Sequence, residues 1–205
     1  MQLLHTLTQA CGEFEKRRCS YCLIGGYAAS LYRTIERVTR DIDFALVAKP
    51  PIRSQKVAED IIKALGFKPA VGFIAGRQRK GRTSRIAMVT STPVKGEFTA
   101  VIDILLPTLP WLSEAVRRAQ FNLIDLGFSK VPVITPEDLI VAKCYALKGA
   151  PDRFQDLDDL KELFSGAVEL EYDYIKLALD NLKLAIPAIL KAAAPRELKR
   201  FCQGK

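Results

Sequence analysis

A single histidine, His5, stands in the 205 residues of this chain. That scarcity excludes a histidine-based nucleophile triad and the usual histidine-bearing zinc site. The chain also lacks a G-x-x-x-x-G-K-[ST] segment, which excludes a P-loop phosphate cradle. No run of about 18 uninterrupted apolar residues occurs, so no transmembrane helix is expected. The opening residues, MQLLHTLTQACGEFEKRR, have neither a basic start nor a long apolar stretch. They do not read as a secretory leader, and the cytoplasm is the expected compartment. Five cysteines (Cys11, Cys19, Cys22, Cys144, Cys202) are odd in number and scattered, which suits reduced thiols better than a disulfide framework. Cys19-Ser20-Tyr21-Cys22 has C-x-x-C spacing, but no second pair completes a zinc site. The pair enters a strand rather than opening a helix, which argues against redox chemistry of the thioredoxin kind.

Apolar residues make up 49% of the chain, enough for one domain of ordinary size or one domain with a helical extension. Lysine and arginine number 31 against 23 acidic residues, a formal charge of +8. Such a surface concentrates polyanions without identifying them; nucleic acid, nucleotide and acidic protein all remain open. Residues 2–18 carry apolar positions at helical intervals (Leu3, Leu7, Ala10, Phe14). Tyr21–Ile24 reads as a buried strand ending in the turn Gly25-Gly26, with a second helix from Ala28 to Tyr32. Asp41–Val47 reads as a strand closed by Lys49-Pro50-Pro51, and residues 53–65 as a helix stopped by Gly66. Residues 67–106 suggest strands joined by turns, clearest at Arg85–Thr90 and Phe98–Leu106. A short strand is expected near 121–126. Thr135-Pro136-Glu137-Asp138 is a helix start with a cap, a first-turn proline and a capping-box acid, and this helix should stop at Gly149. Further helices are expected near 153–165, 171–184 and 187–202. The organisation expected is an α/β domain over residues 1–130 and a helical region over 131–205.

Three carboxylates carry the chemical signal. Asp41 and Asp43 are two apart on one strand and so share a face. The strand runs on into an apolar core, where two neighbouring carboxylates would repel. A divalent cation removes that penalty, and Mg²⁺ takes one or two carboxylates plus substrate phosphates. Asp103 lies within Val101–Leu106, otherwise a central-strand run. If that strand pairs beside the first, three carboxylates converge, two metal ions could hold the attacking and leaving oxygens, and Asp103 could act as general base. A solvated strand edge is the alternative.

Gly25-Gly26 at a strand-to-helix turn lets backbone approach an anion. Arg77-Gln78-Arg79-Lys80-Gly81-Arg82-Thr83-Ser84-Arg85 is a strongly basic stretch. Through residues such as Arg82 and Arg85 it could grip a triphosphate or an RNA backbone, or simply be solvated. It has no interleaved aromatics, so base stacking has no support. Lys143 shares a helical face with Leu139, Ile140 and Leu147; snorkelling to solvent is the alternative to a functional ammonium. Asp156 and Asp159 fit a charged helix start equally well.

Leu23-Ile24-Gly25-Gly26-Tyr27-Ala28-Ala29-Ser30-Leu31 followed by Arg40-Asp41-Ile42-Asp43-Phe44 resembles the signature of the polymerase-β-like nucleotidyltransferase superfamily. Leu139–Lys143 and Arg153–Leu160 resemble the lysine and aspartate motifs of its AbiEii-type branch, which includes toxins of bacterial toxin–antitoxin pairs. The similarity spans roughly residues 20–165. The resemblance implies an α/β nucleotidyltransferase fold, a mixed sheet flanked by helices, with a helical C-terminal region. It implies Mg²⁺ on Asp41 and Asp43 with Asp103 as third carboxylate, and transfer of a nucleoside monophosphate from a nucleoside triphosphate (NTP) to a hydroxyl, with RNA favoured by the charge. Lys143 would face the phosphates, Asp156 would orient that lysine or the nucleotide, and a cognate antitoxin would be the partner. Gly26 stands where many members carry serine, and Gly149-Ala150-Pro151 follows the lysine where related toxins tend to be more basic. Two other readings stay open: a module of the same fold that binds nucleotide or partner without turnover, and a nucleic-acid binder working through Arg77–Arg85.

Overall fold

The computed structural model describes residues 2–35, 39–49, 53–78, 81–92, 100–166 and 168–203, with backbone alone for residues 2, 74–78 and 81–84. The chain divides into two compact units, one of residues 1–27 with 38–134 and the other of residues 28–37 with 135–205.

The first unit is built on five strands. Helix α1 (Gln2–Lys16) leads into β1 (Ser20–Ile24), and α2 (Gly25–Ser30) begins at the glycine pair itself. Then come β2 (Asp41–Val47), α3 (Ser54–Ala64), β3 (Lys68–Gln78), β4 (Gly81–Thr92), β5 (Val101–Leu105) and α4 (Leu112–Ala119). The sheet order is β1-β2-β5-β4-β3; β2 and β5 run parallel and every other neighbouring pair antiparallel. A parallel pair needs a long crossover, and here α3 and the β3–β4 hairpin supply it.

Alternation along β2 sorts its side chains. Ile42, Phe44 and Leu46 are fully buried, and Ile102 and Ile104 of β5 join them. Phe14 of α1 stacks on Tyr21 at 4.4 Å and tilts against Phe44 at 4.8 Å, so α1 covers that side of the sheet. Such rings remove the largest apolar areas from water and anchor the core. Asp41, Asp43 and Asp103 fall on the opposite side, as the period of two requires. The unit closes with a small hairpin, β6 (Leu123–Asp125) and β7 (Lys130–Pro132), after which Ile134 N–H bonds the Leu23 carbonyl beside β1.

The second unit is helical: α5 (Pro136–Gly149), α6 (Phe154–Leu163) and α7 (Tyr172–Leu182). Thr135 caps α5 by accepting from the Asp138 N–H, and its hydroxyl also donates to the Asp138 carboxylate. The helix expected over 187–202 does not form. Residues 188–190 and 196–201 make 3₁₀ turns, and Ile186-Pro187 pairs with Cys202-Gln203 as two short strands. Pro195 accounts for this, because in mid-segment it removes a donor and turns the preceding residue away from helical backbone. Among the described residues no helix is long and apolar enough to cross a membrane.

Candidate active site

The site in the first unit follows from register. Ile24, Asp43, Asp103 and Thr90 lie side by side across β1, β2, β5 and β4. Residues paired this way point to one face, so Asp43 and Asp103 are direct neighbours, and Asp41 stands one turn of the pleat before Asp43. Asp41 is exposed, whereas Asp43 and Asp103 are half-buried. Ser91, almost fully buried, accepts the Ile102 N–H at 2.8 Å and ties β4 to β5 at this point.

Asp103 is electrostatically unsettled. Its Oδ1 is buried and has no hydrogen-bond partner among the described residues. Burial pushes its carboxyl above the usual range; the Thr90 hydroxyl opposes the shift by donating a hydrogen bond, and the Asp41 charge adds to it. A raised carboxyl suits proton acceptance from a hydroxyl better than an ordinary one.

The glycine turn abuts the same carboxylates. Gly25 has φ +67°, and a Cβ on it would sit 2.0 Å from Asp43 Oδ2 and 2.5 Å from its Cγ. No side chain fits there, so backbone from the β1–α2 turn comes directly against Asp43. Gly26, buried, follows in α2.

A divalent metal ion fits this donor set on two counts. The donors are hard oxygens, and one of them, Asp103 Oδ1, is buried and has no partner among the described residues. Among the described residues no group of three or more His, Cys, Asp or Glu side chains is placed to hold a metal ion, so the expected three-carboxylate set of Asp41, Asp43 and Asp103 is not assembled as such. Mg²⁺ does not need one, since water and substrate phosphates ordinarily complete its shell.

Lys143 and Asp156 belong to the second unit, in a buried ion network. Lys143 is 4% exposed, so it does not snorkel. Its Nζ donates to Asp156 Oδ1 at 2.8 Å and to Asp159 Oδ2 at 2.5 Å. Asp156 also accepts from Arg153, and Arg33 forks across Asp158 and Asp159 at 2.7 and 2.6 Å. Burial works to raise the Asp156 carboxyl, but the Lys143 and Arg153 charges outweigh it and hold the group below its usual range. Asp156 and Asp159 are therefore members of a compact charge cluster, with Asp159 fully buried, rather than a solvated helix start. Arg33 is the member that the sequence did not disclose. It bonds across 125 and 126 residues of chain, and nothing in its neighbouring sequence marks it as a member of a distant ion network.

Of the basic stretch, Arg79, Lys80 and the side chains of Arg77 and Arg82 lie outside the described residues. Arg85 is exposed on β4, five residues from Thr90, about 17 Å at ordinary strand rise. Two of the buried thiols are poor nucleophiles: burial pushes Cys11 up to about 11 and Cys144 up to about 12, which leaves both protonated near neutrality.

A mixed five-stranded sheet with paired aspartates beside a glycine turn defines a nucleotidyltransferase fold, and solved structures agree. An antigenic nucleotidyltransferase-like protein from Paracoccidioides brasiliensis is 16% identical, with a TM-score of 0.52 over 100% of this chain and 94% of that one. ANT(2")-Ia in complex with adenylyl-2"-tobramycin is 14% identical, with a TM-score of 0.53 over 89% of this chain and 98% of that one. At these identities the likeness is one of fold. No curated protein matches the chain in sequence. The family model of the nucleotidyl transferase AbiEii toxin, type IV toxin–antitoxin system, matches residues 13–197. The chain belongs to that family, and nucleotidyl transfer is its class of chemistry.

Proposed function

We propose that the chain transfers a nucleoside monophosphate from an NTP to a hydroxyl acceptor with Mg²⁺, and that it acts in the cytoplasm as the toxin of a pair with a cognate antitoxin. The observation that carries this reading is the side-by-side placement of Asp43 and Asp103, with Asp103 Oδ1 buried and unpartnered among the described residues and the Gly25 turn against Asp43.

In this reading Asp41 and Asp43 hold the metal and Asp103 contributes the third carboxylate. Bound Mg²⁺ would supply Lewis-acid stabilisation of the charge that develops on the phosphate oxygens. Asp103 accepts the proton of the acceptor hydroxyl as its oxygen attacks the α-phosphorus. The new O–P bond forms as the bond to the β-phosphate bridging oxygen breaks, and pyrophosphate leaves. The Gly25-Gly26 turn brings backbone N–H groups near a phosphate without steric opposition. Lys143 supplies one positive centre for the phosphates, with Asp156 fixing its direction. Arg82 and Arg85 are assigned to the polyanion, triphosphate or RNA, and RNA is the favoured acceptor because the chain carries +8.

The test is incubation with each labelled NTP, Mg²⁺ and total RNA, then with protein and small hydroxyl acceptors. Label should enter one acceptor from a preferred NTP and none with Asp43→Asn. A parent that binds NTP tightly yet labels no acceptor makes the chain a binding module instead.

A further inference from the structure

Two aspartates hold the buried Lys143 ammonium. An ammonium has three N–H donors, and two of them are taken by Asp156 Oδ1 and Asp159 Oδ2. The remaining N–H therefore points wherever those carboxylates dictate. Each carboxylate is in turn held by an arginine, and the two arginines differ. Arg153 lies three residues before Asp156 at the start of α6, with a side chain 57% exposed. Arg33 comes from a distant part of the chain, its side chain is only 5% exposed, and it bonds two successive aspartates at once. A planar guanidinium spanning two carboxylates defines both position and tilt, which a lysine cannot reproduce. Asp159 is fully buried and bonded on one oxygen by Arg33 and on the other by Lys143. Any shift of Arg33 is thus passed to Lys143 through one rigid group.

We propose that Arg33 is a positioning residue for nucleotidyl transfer: it sets Asp159, and through Asp159 the aim of the Lys143 ammonium. The inference rests on the reading in which Lys143 meets the triphosphate. The same geometry gives Arg33 a specific reason to be arginine, since one guanidinium must serve both Asp158 and Asp159.

The experiment is a cycle of steady-state kinetics on parent, Arg33→Ala, Lys143→Ala and the double variant, with Arg33→Lys alongside and thermal unfolding recorded for each. Displacement of a catalytic group by about an ångström costs about 10²-fold, so Arg33→Ala should lose about that much in kcat/KM for the NTP. Arg33→Lys, able to hold one aspartate, should recover part of the loss. In the Lys143→Ala background, Arg33→Ala should add less than about twofold, because coupled residues are not additive. Losses that multiply instead mean that Arg33 acts independently of Lys143, and overturn the proposal. If Arg33→Ala does not fold, Asp158→Asn replaces it. Asp158 is 57% exposed, so its loss spares the fold while removing one prong. Full activity in both Asp158→Asn and Arg33→Lys overturns the proposal. A parent without transfer overturns the nucleotidyl-transfer reading, and this inference with it. A parent that transfers and responds to Lys143→Ala but not to Arg33 overturns this inference alone.

Discussion

Gly25 and Asp43 occupy space that only a glycine can share: a Cβ at position 25 would fall 2.0 Å from the Asp43 carboxylate oxygen. The backbone there is also left-handed, at φ +67°, a conformation that costs a residue with a side chain about 1–2 kcal/mol. Gly25→Ala should therefore lower stability by at least that amount and displace Asp43, with loss of Mg²⁺-dependent NTP binding. Gly12, inside α1 with nothing within 4 Å of an added Cβ, is the control. Gly12→Ala should stabilise by about 0.5–1 kcal/mol. Thermal unfolding and calorimetry on both variants check the pair; equal behaviour would remove the steric argument.

Asp41 and Asp43 place two like charges on one face of a strand, a cost that disappears when either is neutral. Asp41→Asn and Asp43→Asn should each leave metal-free stability equal to or above the parent's. Each should also abolish the rise in melting temperature that Mg²⁺ with NTP gives the parent, because that rise is binding energy added to the folded state. Variants that still show the parent's shift would mean that these carboxylates are not the ligands.

Local chemistry made much of the fold legible. Thr135-Pro136 announces the start of α5 through a cap and a fixed φ, and Lys49-Pro50-Pro51 follows the strand that ends at Val47. The 187–202 segment has apolar spacing that suits a helix, but Pro195 in its middle denies it a hydrogen bond and breaks it. The candidate site was legible only as residue types. That Asp103 stands opposite Asp43 depends on a parallel pairing across some sixty residues of chain, and composition along one strand does not encode its neighbour. Lys143 shows the same limit. An apolar helical face is compatible with snorkelling or with burial, and the deciding partners, Asp156 and Asp159, belong to the next helix.

The Asp156 carboxyl makes stability depend on acid. Its folded-state value lies below the usual carboxylate range because Lys143 and Arg153 outweigh the effect of burial. A lowered value means that the unfolded chain takes up the proton more readily. The stabilising contribution is complete above the ordinary unfolded value of about 4 and is lost as pH falls through the lower folded value. Urea unfolding at pH 7 and at pH 3 should show a fall in stability for the parent and a smaller fall for Asp156→Asn. At pH 7 that variant should be markedly less stable, since breaking a buried ion pair costs about 3–5 kcal/mol. An unchanged acid dependence would remove Asp156 from this role.

Asp103 and Lys143 separate catalysis from binding. Phosphoryl transfer depends mainly on positioning and on stabilising the charge that develops at the phosphorus. Asp103, with its carboxyl raised by burial and one oxygen unpartnered, is equipped to take a proton at the moment of attack, a task that arises only when acceptor is present. Asp103→Asn should therefore keep most NTP affinity and lose transfer by about 10²-fold or more. Lys143, on the proposed reading, meets the phosphates both before and during transfer, so Lys143→Ala should weaken affinity and rate together. It also strands Asp156 and Asp159 without their shared cation, and a fall in melting temperature should accompany the kinetic loss. Calorimetry follows NTP binding, and incorporation of labelled nucleotide follows transfer. If Asp103→Asn loses binding and transfer in equal measure, the carboxylate holds metal rather than accepting the proton, and the base must be sought elsewhere. If Asp103→Asn transfers at the parent's rate, the carboxylate opposite Asp43 has no part in the chemistry.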